Sequence, residues 1–137
     1  MIRSRSKKVL LVAPDSFPSR LLDQYENVNH ILAVTSIFPC IHEFKPDVIL
    51  FDHAHMNEHM ERVLRRLRSN MFYKNIRICC YKHTESVRND ATLKVLGVHH
   101  MIYHDDLQKV SKSKHALNAI NNIIDTSLLK WLAGAGN

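Results

Sequence analysis

Glycine is nearly absent from this chain: of three in 137 residues, two fall in the closing "GAGN", which leaves Gly97 alone in the body of the sequence. No glycine-rich loop is therefore available to bring backbone N–H groups around a phosphate. Cysteine is also sparse. Cys40, Cys79 and Cys80 are odd in number and lack C-x-x-C spacing, so neither a disulfide framework nor a zinc ribbon is indicated. Adjacent Cys79 and Cys80 would face opposite sides of a strand, as reduced, packed thiols. Long apolar runs are missing too. "VLLVA" (9–13) and "VILF" (48–51) are the longest, far short of the roughly 20 residues that cross a bilayer. The apolar segment behind the basic start "MIRSRSKK" is shorter than a signal-peptide core. A cytoplasmic protein with no membrane partner is the expectation.

What is present is ordinary globular composition, with 45% hydrophobic and 23% charged residues, enough for one core in one domain spanning 1–137. The core should occupy about 7–130, and 131–137 reads as a frayed tail. A formal charge of +6, with ten histidines left out of the count, permits an acidic partner without identifying one.

Five apolar segments rich in β-branched or aromatic residues recur: "KVLLVA" (8–13), "HILAVT" (30–35), "DVILFD" (47–52), "IRICCY" (76–81) and "HHMIYH" (99–104). Most are continuously apolar at their centres, as strands covered on both faces are. Helical spacing fills the gaps, at about 18–26, 36–44 with Ser36 as N-cap, 57–71, 85–96 and 113–130. The third helix should bury Met60, Val63, Leu64, Leu67 and Met71, and the fourth Val87, Ala91, Leu93 and Leu96. Gly97 stands where the fourth helix must stop, the place for a left-handed cap. Five alternations predict a doubly wound, flavodoxin-like α/β sandwich: a five-stranded parallel sheet, order 2-1-3-4-5, with five helices. Ligands and chemistry in such sheets gather beyond the carboxyl ends of the strands.

Those ends carry Ala13, Pro14 and Asp15 after strand one, Asp52 after strand three, Lys82, His83 and Thr84 after strand four, and His104, Asp105 and Asp106 after strand five. With "KPDVILFD" (45–52), the five βα units and "LKVLGVHHMIYH" (93–104), the chain resembles a response-regulator receiver domain over roughly 7–128. The resemblance implies a phospho-accepting aspartate at Asp52, served in the family by a histidine kinase. The family chemistry also uses an acidic pair holding magnesium, a hydroxyl after strand four and a lysine after strand five. Here those positions hold Ala13 and Pro14 with Asp15 one step on, then Lys82 with Thr84 two residues beyond, then His104. Met101 aligns best with the partner-facing switch position, with Tyr103 nearby.

Two placements of Lys82 stay open. It could pair with Asp52 and hold the site in one state, as in a pseudo-receiver, or it could point to solvent beside a retained structural acid. The preferred expectation is a non-enzymatic, degenerate receiver that binds partner proteins such as a histidine kinase or an output protein. Residues 85–130 would form the docking or homodimer surface. No cofactor is expected unless conventional chemistry survives, in which case magnesium is.

The histidines offer a further alternative. "HMNEH" (55–59) satisfies H-x-x-E-H, yet His55 falls before the third helix, against a zinc-protease reading. A transition-metal site from His53, His55, His104 and Asp105 is conceivable, since parallel-sheet loops converge. Most such histidines are exposed surface residues. The arginines of the third helix lack interleaved aromatics, so a solvated face is favoured over a nucleic-acid interface.

Overall fold

Five parallel strands in the order β2-β1-β3-β4-β5 form the sheet: β1 Lys8–Val12, β2 Asn27–Ile31, β3 Val48–Asp52, β4 Arg77–Lys82 and β5 His100–Tyr103. The computed structural model describes residues 7–17, 22 and 25–104. The helices expected at 18–26 and 113–130 fall largely or wholly outside them. Between the strands lie α1 Ile37–Phe44, the single turn α2 His53–Met56, α3 Met60–Ser69 and α4 Val87–Val95.

The central strands are buried on both sides because their residues are apolar at consecutive positions: β3, "VILFD", is buried throughout. One apolar cluster packs Leu10, Ile49, Phe51 and Cys80 against α1, α3 and α4 through Ile41, Leu64 and Leu93. On the opposite face Val9, Leu11, Leu50, Cys79 and Tyr81 pack with Phe17, Leu22 and Tyr25. Burial pushes the thiols of Cys79 and Cys80 up to about 12, so both stay protonated, as inert core residues do.

Four details differ from the expectation. β2 is "NVNHI", several residues before the apolar run expected at 30–35. As an edge strand bonded on one side only it tolerates half-exposed polar residues, while Leu32 and Val34 pass into the loop and a short 3-10 turn. The third helix stops at Ser69. Asn70 is extended, and its side chain accepts from the Phe72 N–H at 2.8 Å, starting a 3-10 turn that leaves Met71 exposed. α4 turns a different face inward than its apolar pattern suggests: Leu93 and Leu96 are buried with Asp90, while Val87 and Ala91 are exposed. Ser36 precedes α1 but makes no side-chain cap.

Gly97 has φ 118°, and the N–H groups of Gly97 and Val98 bond the carbonyls of Lys94 and Leu93, a Schellman closure that a Cβ would strain. It aims the chain into β5, and His99 just before that strand exchanges two bonds with Ile78: its N–H donates to the Ile78 carbonyl at 2.9 Å, and its Nδ1 accepts from the Ile78 N–H at 3.0 Å.

Candidate functional site

β3 delivers Asp52 to the carboxyl edge of the sheet and stops there, because Asp52 is also the N-cap of α2. Its Oδ1 accepts the His55 N–H at 3.3 Å, answering one of the unpaired donors of that turn. The residue is buried, with 5% of its surface exposed. Its register partner on β4 is Tyr81. Register partners on parallel strands share a face, so the two side chains line one cavity of about 510 Å³.

The walls of that cavity are largely aromatic. Phe17 meets Tyr81 edge to face at 5.1 Å. The Tyr81 hydroxyl is hydrogen-bonded to His104 Nδ1 at 2.6 Å, and the rings of His83 and His104 lie 5.0 Å apart. Burial, aided by the Asp52 charge, raises the Tyr81 phenol above its ordinary range and keeps it neutral. His55 forms another wall and donates from Nε2 to the Leu32 carbonyl at 2.7 Å. Pro14 and Ser16 close the side nearest β1.

Lys82 is one residue beyond Tyr81, and side chains on a strand alternate, so it leaves on the other face. There it is 7% exposed and meets α4. Its ammonium donates to Asp90 Oδ1 at 2.5 Å and to Asn89 Oδ1 at 2.8 Å. The second carboxylate oxygen of Asp90 accepts from the Tyr103 hydroxyl at 2.6 Å and from the Ser86 N–H at 3.1 Å. Tyr103 is the register partner of Lys82 on β5, which is why it can reach the same carboxylate. Burial would raise the Asp90 carboxyl, but the bonds from Lys82, Tyr103 and Ser86 outweigh it and hold it below its usual value. Burial and that carboxylate push the Tyr103 phenol well up. A buried charge pair is tolerated only when its other donors and acceptors are also satisfied, as they are here.

Neither placement of Lys82 expected from sequence is what forms. The ion pair is with Asp90, not Asp52, and the ammonium is not in solvent. The two histidines of the turn after Asp52 are also divided. His55 faces the Asp52 cavity, whereas His53 is held neutral by burial and, next, by the charge of Lys82.

The remaining expected positions separate similarly. Pro14 and His104 line the cavity, but Ala13 is packed in the core, Asp15 sits in an exposed turn and Thr84 is exposed outside the cavity. Met101 packs against the core on the Lys82 face. Among the described residues Asp52 is the only carboxylate of the cavity wall, and no group of three or more histidines, cysteines or acids is placed to hold a metal ion. The donor set therefore does not fit magnesium, which needs several oxygen ligands and charge to offset its dehydration. Asp105, the fourth candidate metal ligand, lies outside the described residues. Sequence reasoning missed Phe17, Tyr81, Asn89 and Asp90, and placed His83 at a strand end without assigning it a role. The alternation along "CCYK" (79–82) carried the signal for Tyr81, since whichever residue pairs with Asp52 must share its face.

No family model matches the chain, and no curated protein matches it. Solved structures do. The phosphorylated cyanobacterial phytochrome response regulator RcpA superposes with a TM-score of 0.67 at 18% identity, over 90% of this chain and 94% of that one. The signal receiver domain of a LuxO-type repressor protein from Vibrio parahaemolyticus matches with 0.61 at 19% identity, over 85% and 93%. The receiver domain of a DNA-binding response regulator from Colwellia psychrerythraea 34H gives 0.61 at 14%, over 79% and 100%. The fold is thus that of response-regulator receiver domains, with the flavodoxin-like strand order 2-1-3-4-5.

Proposed function

We propose that this chain is an atypical receiver in two-component or phosphorelay signalling, working as a protein-interaction module whose switch is held in one state. The observation that carries the reading is the Lys82–Asp90 pair. Lys82 occupies the position that the family resemblance assigns to the switching hydroxyl, and it is committed on the face away from Asp52 to α4 and, through Asp90, to β5. A hydroxyl there could swing toward a phosphoryl group on the aspartate. An ammonium buried against a carboxylate cannot leave without stranding both charges, at about 3–5 kcal/mol.

Asp52 keeps the position of a phospho-acceptor, but among the described residues no second carboxylate lines its cavity to hold magnesium beside it. In this reading it serves as the cap that turns β3 into α2. The partner is a signalling protein, a histidine kinase or an output protein, in the cytoplasm; no described helix is long and apolar enough to cross a membrane. The docking face includes α4, where Val87, Ala91 and Val95 form an exposed i, i+4, i+8 apolar row.

The discriminating experiment is incubation with acetyl phosphate and magnesium, followed by intact-mass measurement on the chain and on Asp52→Asn. The expected result is no phosphate increment in either. An increment present in the parent and absent in Asp52→Asn would replace this reading with that of a conventional phospho-acceptor.

A further inference from the structure

A second hollow lies at the other end of the sheet. A cavity of about 680 Å³ opens beneath the amino ends of β1, β3 and β4, where Lys7, Asp47 and Ile76 enter or precede the three strands. Small-molecule sites occupy ~300–1,000 Å³ and combine apolar walls with a few polar groups that orient the ligand. Here Ile41, Pro46, Ile76 and the rings of Phe72 and Tyr73 supply the walls. Phe72 is 91% exposed, an aromatic held out at the mouth by the Asn70-capped turn instead of being folded inward.

The charged groups of the rim are unequal. Lys7, Lys45 and His42 stand on it, against one acid, Asp47. Asp47 is already engaged in joining strands: its Oδ2 accepts the Lys8 N–H at 2.9 Å and its carbonyl accepts the Arg77 N–H at 2.9 Å. Two lysines against one such acid leave the lining of this largely apolar hollow with an excess of positive charge. Lys45 also holds a left-handed conformation, φ 52° and ψ 61°, closing α1 where glycine would be unstrained.

We infer that this cavity binds a small amphiphilic anion, a carboxylate with an aliphatic or aromatic body, its chain against Ile41, Ile76 and Phe72 and its head between Lys7 and Lys45. The site is independent of the Asp52 chemistry: the two cavities share no lining residue and lie at opposite ends of the strands.

Decanoate is a suitable probe, titrated into isotope-labelled full-length chain while amide shifts are followed, with decanol as the uncharged control. Saturable shifts should concentrate in 41–47 and 72–76, and decanol should bind about three- to tenfold more weakly because it lacks the screened attraction to the rim. Lys45→Gly is the informative variant, since it removes the ammonium while relieving the backbone, so a folding defect cannot mimic lost binding. It should weaken decanoate by a similar factor and leave decanol unchanged; Phe72→Ala should weaken both. Equal binding of decanoate and decanol, shifts centred elsewhere, or no effect of Lys45→Gly would each overturn the assignment. So would shifts of the same amides on simple dilution, which would mean that a second copy of the chain covers the cavity.

Discussion

At the carboxyl edge of the sheet the two faces do opposite things with similar residues. On one, Asp52 and Tyr81 look into an open cavity whose polar groups are spaced by rings. On the other, Lys82, Asp90 and Tyr103 close on one another at hydrogen-bond distance and exclude solvent. Alternation along β4 and β5 separates the two tyrosines, while Asp52 reaches the first face from β3 and Asp90 the second from α4. Position along the strand places a residue at the site; parity decides whether it belongs to the cavity face or to the bolt behind it.

The sharpest test of that contrast is Asp90→Leu, which strands the Lys82 ammonium in a buried position and should cost about 3–5 kcal/mol of unfolding free energy. Adding Lys82→Met to the same chain should recover most of the loss, because an apolar pair of similar volume needs no partner. A double variant no better than Asp90→Leu in denaturant titration would mean that the pair is not the unit described. Acid removes the same charge reversibly. The Asp90 carboxyl is depressed in the fold, so its stabilisation is complete above the unfolded value near 3.9 and is lost as pH falls through the lower folded value. His99 and His53 act at higher pH with the same sign. Both are lowered chiefly by burial, and His99 must be unprotonated at Nδ1 to accept from Ile78. Unfolding midpoints should therefore begin to drop below about pH 6.5, and His99→Gln should blunt that first drop.

Smaller effects separate the faces further. Tyr103→Phe removes a bond to a carboxylate held by Lys82 and should cost about 1.5–3 kcal/mol, whereas Tyr81→Phe removes a bond to an imidazole ring and should cost about 0.5–1.5 kcal/mol. Equal losses would erase the distinction between bolt and cavity. Smallest of all is Asp52→Asn, expected within about 0.5 kcal/mol of the parent in the same titration, since asparagine caps a helix about as well as aspartate.

Much of this could be read in advance, and the exceptions share a cause. The strand cores of β1, β3 and β4, the end of α4 at Gly97 and the placing of Asp52 at a strand end all follow from apolar runs and one glycine, which are local signals. β2 escaped because an edge strand need not be apolar, so "ILAV" (31–34) drew attention away from "NVNHI". α4 escaped because its apolar residues do not fall on one face: Val87, Ala91 and Val95 share one row and Leu93 and Leu96 another, so the pattern does not say which turns inward. Asp90 was hidden by that ambiguity, and with it the partner of Lys82.

The sequence by itself determined the strand-and-helix alternation, the sheet's buried centre and the arrival of Asp52, Lys82 and His104 at one edge, because hydrophobic periodicity is written residue by residue. Only the tertiary structure decided that Asp52 faces Tyr81 while Lys82 faces Asp90. That choice rests on register between strands and on the rotation of α4. A shift of one residue reverses every side chain, and only the packing of distant segments against one another selects between the two outcomes.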